Sequence, residues 1–240
     1  MTAFEILDFD THLFGFKTAR ILPTVTLPED LIQTLDVLKA QGVCLVYFQV
    51  DADLKTLNQA ALDQGGTLVD KKTTFAMEMP HLVPDELIQP RVVPFTAASP
   101  TDEMYDLAYR IAERSRFGQD KVLHEKGLDR KMYQTWLENC VNGTAAKAVF
   151  VIEDQGLVTG MIILTEKQGR GDIVMVAVNK AYAGRGYGKM LVKAAQSYFI
   201  KQGFNESQVV TQLDNKPACG LYESCGYAIE SVEHFYHFWL

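Results

Sequence analysis

The segment DIVMVAVNKAYAGRGYGK, residues 172–189, decides the fold predicted for this chain. An apolar strand pattern at 173–178 leads through a short turn to three alternating glycines, Gly184, Gly186 and Gly188, at the start of a helix pattern. Glycine lets the backbone turn sharply and lets a ligand approach the amide groups without a Cβ in the way. Since the first amides of a helix have no internal acceptor and lie at the positive end of its dipole, the segment predicts a phosphate-binding turn.

Two common phosphate-binding motifs do not fit this spacing. A P-loop needs a hydroxyl residue after Gly-Lys, whereas Gly188-Lys189 is followed by Met190. A dinucleotide fingerprint needs G-x-G-x-x-G, whereas these glycines occupy every second position. Arg185 and Lys189 add positive charge beside the amides. A tight strand-to-helix turn that binds no ligand is the structural alternative.

The run from Ala183 to Gly188 resembles the acetyl-CoA loop of the GCN5-related N-acetyltransferases (GNAT), usually written [QR]-x-x-G-x-[GA]. Both glycines match, and Ala183 replaces the opening Gln or Arg, which removes one side-chain contact and leaves the backbone amides. The resemblance covers residues 90–240. It implies an α/β fold with a mixed, mostly antiparallel central sheet flanked by helices, and acetyl-CoA as the co-substrate.

The same resemblance implies roles for particular residues. The backbone of Val176, Ala177 and Val178 would hold the pantetheine arm like an added strand, with the amide of Val176 or Ala177 facing the thioester oxygen. Asn215 would bond to the coenzyme, although an asparagine before a helix is also a good cap. The pyrophosphate would be bound by the loop residues Gly184, Arg185, Gly186, Tyr187, Gly188 and Lys189.

A tyrosine near the C-terminus is the expected general acid. The run GLYESCGY at 220–227 matches the family pattern L-Y-x-x-x-G-[FY], which implies that Tyr222 protonates the departing thiolate. A positioned acid accelerates such a step by about 10²–10⁴. The alternative is that Tyr222 is simply a half-buried tyrosine of a helix. For the general base the sequence offers Glu166, Asp172 or a chain of ordered water.

A second, narrower resemblance concerns the acceptor. Residues 115–144, SRFGQDKVLHEKGLDRKMYQTWLENCVNGT, look like the matching stretch of GNAT enzymes that acetylate the 4-amino group of a nucleotide-linked 6-deoxy sugar. This likeness implies that Arg116 and Phe117 contact the diphosphate and the base or sugar of such an acceptor. A solvated arginine at a helix end is the alternative for Arg116. Another small amine, a protein amine, or a non-catalytic module that binds acetyl-CoA remain alternatives for the function.

The 240 residues, of which 48% are hydrophobic, predict two domains. Residues 1–80 form a smaller N-terminal α/β domain, 81–92 a proline-containing linker, and 93–240 the GNAT domain. A weak internal similarity links residues 44–69 with residues 207–230, since both predict the order strand, Gln-x-Asp, helix, Gly and strand. It suggests that the first domain is a partial copy of the catalytic fold without the glycine loop, with chance similarity as the alternative.

Composition excludes several classes of protein. A net charge of −7 argues against nucleic-acid binding, and no apolar run approaches the roughly 20 residues needed to span a bilayer. The start of the sequence is acidic where a signal peptide would be basic, so we expect no export. Four cysteines without C-x-x-C predict reduced, buried thiols in a cytoplasmic protein. Because His234 and His237 fall on opposite faces of one strand, we expect no metal. A homodimer is left open.

Overall fold

The computed structural model describes residues 3–240, which divide into two compact units. The first unit comprises the chain through Lys72 together with Arg114–Leu128 and Ser231–Leu240, and the second comprises Thr73–Glu113 and Asp129–Glu230. The predicted linker at 81–92 lies inside the second unit, so the predicted domain boundary does not coincide with the division into these two units. The domain boundary stays a prediction.

The elements up to the predicted linker alternate between strands and helices. In chain order they are β1 (Phe4–Ile6), α1 (Asp8–Phe14), β2 (Thr18–Ile21), α2 (Pro28–Ala40), β3 (Leu45–Asp51), α3 (Lys55–Asp63) and β4 (Thr67–Glu78). Pro28, followed by leucines at 31, 35 and 38, predicts a helix over residues 28–40, and α2 has those bounds. Its proline lies in the first turn, where a missing N–H costs nothing, and the three leucines are buried on one face.

The remaining elements follow the order that the family resemblance implies, with two short helices added. They are β5 (Val93–Pro94), α4 (Asp102–Arg114), α5 (Arg116–Gln119), α6 (Lys121–Glu125), α7 (Leu128–Val141), β6 (Ala148–Asp154), β7 (Leu157–Lys167), β8 (Arg170–Val178), α8 (Tyr187–Lys201), β9 (Glu206–Gln212), α9 (Lys216–Glu223) and β10 (Ala228–Trp239). Short 3-10 turns lie at Asp85–Leu87 and Lys180–Tyr182.

Strands occur in both units, and β4 and β10 each contribute residues to both. In the first, β2 pairs antiparallel with β1 and parallel with β3, and β3 pairs antiparallel with β10. In the second, the strand order is β4-β9-β8-β7-β6-β5, with β8 parallel to β9 and antiparallel to β7. The predicted mixed sheet flanked by helices is therefore confirmed.

The two segments with internal sequence similarity contain matching secondary-structure elements. Residues 44–69 contain β3, α3 and the start of β4, and 207–230 contain β9, α9 and the start of β10. The match extends further back, because α2 joins the parallel pair β2 and β3 as α8 joins the parallel pair β8 and β9. Both halves thus share the order strand, helix, parallel strand, helix, strand.

One segment near the N-terminus differs from the sequence prediction. The sequence of residues 1–21 predicts short extended pieces around THLFGFKTARI, residues 11–21. Instead, Asp8–Phe14 forms α1, which buries Leu13 and Phe14 and ends at Gly15 with φ +78°. Seven residues make less than two helical turns, too few for apolar spacing to distinguish a helix from a strand. The helices α5 and α6 were missed for the same reason.

Among residues 3–240, no helix combines the length and the apolar character that crossing a bilayer would require.

We predict that Gly171→Ala lowers the free energy of unfolding by about 1–3 kcal/mol, the usual effect of overpacking. A Cβ at Gly171, in β8, would lie 2.4 Å from Cδ1 of the buried Phe199 in α8. Gly220→Ala is the matched control, since a Cβ there meets nothing within 4 Å and alanine favours the helix. Urea unfolding of both variants measures the difference. Equal stability of the two variants would contradict the packing described here.

Candidate functional site

The end of β8 has one paired edge and one open edge. On one side β7 pairs as far as Gly160↔Val178, with an irregularity that leaves Val174 without an opposite residue. On the other side the parallel pairing with β9 covers 171–173. Within residues 3–240, no strand pairs with that second edge from Val174 to Val178. This edge, which includes the predicted Val176, Ala177 and Val178, can therefore receive an extended ligand by backbone hydrogen bonds.

The turn after β8 depends on two left-handed glycines. Gly184 and Gly186 both have φ +78°, a conformation that L-residues with a Cβ rarely adopt. Their flanking residues Ala183 and Arg185 are exposed, so the turn lies at the surface. The predicted strand, glycine turn and helix are all present, and Gly186 occupies the N-cap position of α8 without a side-chain cap.

The first amides of α8 have no acceptor within the helix. The first helical hydrogen bond runs from the Met190 N–H to the Gly186 oxygen at 3.0 Å. The N–H groups of Tyr187, Gly188 and Lys189 precede it and carry the positive end of the dipole. Because Lys189 is exposed, its ammonium adds charge at the same place. This helix start suits a phosphate or pyrophosphate.

Two tyrosine rings and two arginines pack together at the turn. Tyr187 is buried and stacks on Tyr182, with 5.8 Å between the ring centroids. The Arg185 guanidinium lies 4.8 Å from the Tyr182 ring centroid, and the Arg91 guanidinium lies 5.3 Å from that of Tyr187. Arg91 was missed by sequence reasoning, because it is far from the glycines in the chain and has no motif of its own.

Gly188, the third glycine, serves packing. A Cβ there would lie 3.2 Å from Cδ2 of Leu221, so this position lets α9 approach α8 closely. Leu221 directly precedes Tyr222. The glycine turn and the predicted general acid are therefore linked through one helix contact.

Tyr222 is buried, with 4% of its surface exposed, and its ring lies 5.7 Å from that of Phe75 and 6.3 Å from that of Tyr227. Its hydroxyl makes no hydrogen bond within the described part of the chain. Burial is the main reason that the pKa of the Tyr222 phenol lies above its ordinary value, so the phenol is neutral at physiological pH. Sequence reasoning missed Phe75, which precedes the predicted linker but lies in the second unit.

Asn215 lies between β9 and α9 at the N-cap position, but its side chain does not cap the helix. Its Nδ2 donates to the Thr211 hydroxyl at 3.3 Å, and its backbone oxygen accepts from the Ala218 and Cys219 amides. The side-chain oxygen is thus not used as a helix cap, which leaves it available to a ligand.

The two carboxylates considered as general bases lie near the start of β8, away from the glycine turn. Glu166 forms a salt bridge with Lys147 at 2.6 Å, and both side chains are half-exposed. Asp172 is buried and accepts a hydrogen bond from Gln208 Nε2 at 2.8 Å. A cavity of about 740 Å³ opens at this end and is lined by charged pairs, including Arg170 with Glu206. Both carboxylates are therefore engaged by other side chains.

The predicted acceptor residues Arg116 and Phe117 belong to the first unit. Phe117 is 2% exposed and packs its ring against Phe14 and Tyr47. The Arg116 guanidinium lies 4.3 Å from the Phe117 ring centroid. Phe117 therefore supports Arg116 from within the protein core.

Comparison with known proteins gives one match to a family model. The model of the Acetyltransferase (GNAT) family matches residues 103–227, a little more than half of the chain. The match includes the glycine turn, α8 and Tyr222.

Two curated proteins are similar over part of the chain. The spore coat polysaccharide biosynthesis protein SpsD of Bacillus subtilis is 27% identical over 139 residues, which cover 58% of this chain and 47% of that protein. The mycothiol acetyltransferase of Renibacterium salmoninarum is 31% identical over 71 residues, 30% of this chain and 21% of that protein. The chain thus spans about half the length of the first of these relatives and a fifth of the second.

Solved structures support the fold at low sequence identity. A GCN5-related N-acetyltransferase from Sphaerobacter thermophilus superposes with a TM-score of 0.61 at 17% identity, over 98% of this chain and 76% of that one. A tandem GNAT protein from the clavulanic acid biosynthesis pathway gives 0.56 at 14% identity, over 92% and 75%. With the family model matching across the glycine turn and the tyrosine helix, the chain belongs to the GNAT acetyltransferase family.

Proposed function

We propose that this protein is an N-acetyltransferase that moves an acetyl group from acetyl-CoA to a primary amine. The observation that carries the proposal is the helix start at Gly186, where unpaired amides follow directly on a strand with an open edge. The two features offer what a coenzyme with a pyrophosphate and an extended amide arm requires.

Different residues of the chain have different roles in the proposed reaction. Acetyl-CoA supplies the activated acetyl group when it is bound. The amides from Gly184 to Lys189 bind its pyrophosphate, and the β8 edge from Val176 to Val178 aligns the pantetheine arm. The amide of Val176 or Ala177 polarises the thioester carbonyl, as fixed donors do in other acyl transfers. As the amine nitrogen bonds to the acetyl carbon and the C–S bond breaks, the neutral phenol of Tyr222 gives its proton to the departing sulfur. The proton that the amine nitrogen loses passes through ordered water to the solvent, from which the phenolate of Tyr222 is protonated again.

For the acceptor we propose an amino sugar linked to a nucleotide. Residues 115–144 resemble the corresponding stretch of TDP-fucosamine acetyltransferase, and SpsD, by its name, belongs to polysaccharide biosynthesis. Arg116 would bind the acidic part of the acceptor, supported by Phe117. Another small amine is the second candidate, because mycothiol acetyltransferase is also similar in part.

We propose further that the first unit is a partial GNAT-like copy without an acetyl-CoA site. Its elements repeat the order of the second half, yet the connection from β2 to α2, residues 22–27, contains no glycine. The division into a domain at 1–80, a linker at 81–92 and a domain at 93–240 belongs to this proposal. Cytoplasmic location, a homodimer and the absence of nucleic-acid partners stay predictions.

We expect Gly184→Asp to weaken acetyl-CoA binding by about tenfold or more relative to Gly184→Asn. A Cβ at this position meets nothing within 4 Å, and Asp and Asn are the L-residues that best tolerate positive φ. The two variants therefore share the same backbone cost and differ by one negative charge beside the pyrophosphate. Isothermal titration calorimetry measures both affinities. Equal affinities would mean that the anion lies elsewhere.

We expect Tyr222→Phe to lower kcat by about 10²–10⁴ while leaving acetyl-CoA affinity and protein stability nearly unchanged. Stability is spared because the hydroxyl has no hydrogen-bond partner to lose among the described residues. Tyr227→Phe is the matched control: it removes a buried hydrogen bond to Ser207, 2.9 Å long, and should cost about 1–3 kcal/mol of stability with little effect on kcat. Steady-state kinetics across a panel of amines and urea unfolding separate the two effects.

The pH dependence gives a further expectation for wild type. Because burial raises the pKa of Tyr222 above its ordinary value of 10.0, the phenol keeps its proton throughout the neutral and mildly alkaline range. The kcat of wild type should therefore show no alkaline decline below about pH 10. A decline near pH 8 that disappears in Tyr222→Phe would contradict the raised pKa.

Binding of acetyl-CoA without turnover of any amine would favour the non-catalytic module.

A further inference from the structure

Arg91 lies beside the first residue of α8. Its Cζ atom is 5.3 Å from the ring centroid of Tyr187, with which the helix begins. Tyr187 is 4% exposed and belongs to the core of the second unit, which fixes the position of its ring, whereas Arg91 is exposed. A guanidinium that packs over a ring keeps its N–H edges available to other groups. A solute can therefore reach the donors of Arg91 beside the residue that supplies the first unpaired amide of α8.

The charge of Arg91 is not neutralised by a bonded carboxylate. Within residues 3–240, Arg91 forms no salt bridge and its guanidinium donates no hydrogen bond. The same holds for Arg185, whose guanidinium lies over the ring of Tyr182. Other arginines of the chain do form salt bridges with glutamates: Arg20, Arg130 and Arg170. In a chain with 30 acidic and 23 basic side chains, the tyrosine pair at the turn thus carries two guanidinium groups without a bonded anion.

The acidic side chain that acts on this tyrosine pair is directed at a hydroxyl. Asp154, at the end of β6, accepts a hydrogen bond from the Tyr182 hydroxyl. Its charge therefore lies at the polar end of one ring, and it forms no salt bridge with Arg91 or Arg185 within the described part of the chain. The two guanidinium groups keep their capacity to bind an anion.

The segment that carries Arg91 is attached to α8. Residues 81–92, predicted as a linker, form a short 3-10 turn, and Leu87 of this turn is buried in the core of the second unit. The Lys193 ammonium of α8 donates to the backbone oxygen of Glu86 at 3.3 Å. The segment is therefore held against the helix before a ligand binds, which reduces the ordering that binding to Arg91 would require.

We propose that Arg91 is a coenzyme-binding residue, whose guanidinium donates hydrogen bonds to a phosphate group of acetyl-CoA at the start of α8. The inference rests on the proposed function, and it adds a residue that lies outside the part of the chain matched by the family model, 103–227. A planar guanidinium can give two parallel hydrogen bonds to one phosphate. The coenzyme offers two groups of this chemistry, its pyrophosphate and its 3′-phosphate.

Isothermal titration calorimetry of the intact chain with acetyl-CoA tests the proposal. We expect Arg91→Met to weaken binding by about tenfold, the effect of one hydrogen bond to a charged group. Arg91→Lys keeps the charge but loses the paired hydrogen bonds, so its affinity should lie between those of wild type and Arg91→Met. Unfolding in urea should stay close to wild type for both variants, because their long side chains still cover the Tyr187 ring.

The 3′-dephospho form of acetyl-CoA distinguishes the two phosphate groups. If Arg91→Met loses the same factor of affinity for this form as for acetyl-CoA, Arg91 binds the pyrophosphate. If the loss is confined to acetyl-CoA, Arg91 binds the 3′-phosphate. Either result supports the proposal.

Arg130→Met is the matched control. The Arg130 guanidinium also lies over a tyrosine ring of the second unit, 5.5 Å from the centroid of Tyr109, but it is paired with Glu113. This variant should bind acetyl-CoA as wild type does. Wild-type affinity in Arg91→Met would overturn the inference and leave the proposed function standing, whereas a wild type that binds no acetyl-CoA would overturn both.

Ionic strength separates a phosphate contact from a structural role. The affinity of wild type should fall as sodium chloride is added, and that of Arg91→Met should fall less steeply, because one contact between opposite charges has been removed. Arg91 would be only a cover for the Tyr187 ring if Arg91→Met and Arg91→Lys lost equal affinity, kept the salt dependence of wild type and were both less stable. That result would overturn the proposal.

Discussion

The candidate site depends on one backbone constraint, the left-handed conformation at both Gly184 and Gly186. Two residues at φ +78° let the chain leave β8 and enter α8 within a few residues, so the helix begins beside the end of the strand. In the proposed function, the unpaired amides of the helix and the open edge of the strand bind the same ligand. A residue with a Cβ at either position would oppose this geometry.

The core of the second unit keeps α8 in that position. Its Leu191, Ala195 and Phe199 are fully buried, and the absence of a side chain at Gly171 leaves room for the Phe199 ring against β8. Gln196, an unusual residue in an apolar face, donates from its Nε2 to the Cys225 oxygen at 2.7 Å. This bond joins α8 to the chain that follows α9, so the same helix holds both the glycine turn and the tyrosine.

The elements that could be predicted are those with a local pattern in the sequence. The leucines of α2 repeat at helical spacing, and the alternating glycines before α8 indicate a turn that residues with a Cβ would rarely form. By contrast, α5 and α6 span four and five residues, and their start depends on the Ser115 and Asp120 side chains that cap them. Those caps were a usable signal, because serine and aspartate are favoured at this position.

Other parts of the site depend on residues far apart in the chain. The contact of Phe75 with Tyr222 and that of Arg91 with Tyr187 join segments separated by many residues. The β8–β9 pairing ends at 173, next to the irregularity in the β7–β8 pairing at Val174, and neither feature has a distinctive sequence pattern. A single sequence contains no information on such pairings, whereas the glycine turn is a local property of six residues.

The path of the chain through the two units has a practical consequence for dissecting this protein. The backbone passes from one unit to the other four times, after Lys72, Glu113, Leu128 and Glu230. A gene fragment that starts at residue 93 would therefore omit Phe75 from the core around Tyr222. It would also retain Trp239 and His237 without β3, their antiparallel neighbour. Separate expression of either half would yield a polypeptide with exposed apolar strands, so functional dissection of this protein has to rely on point substitutions in the intact chain.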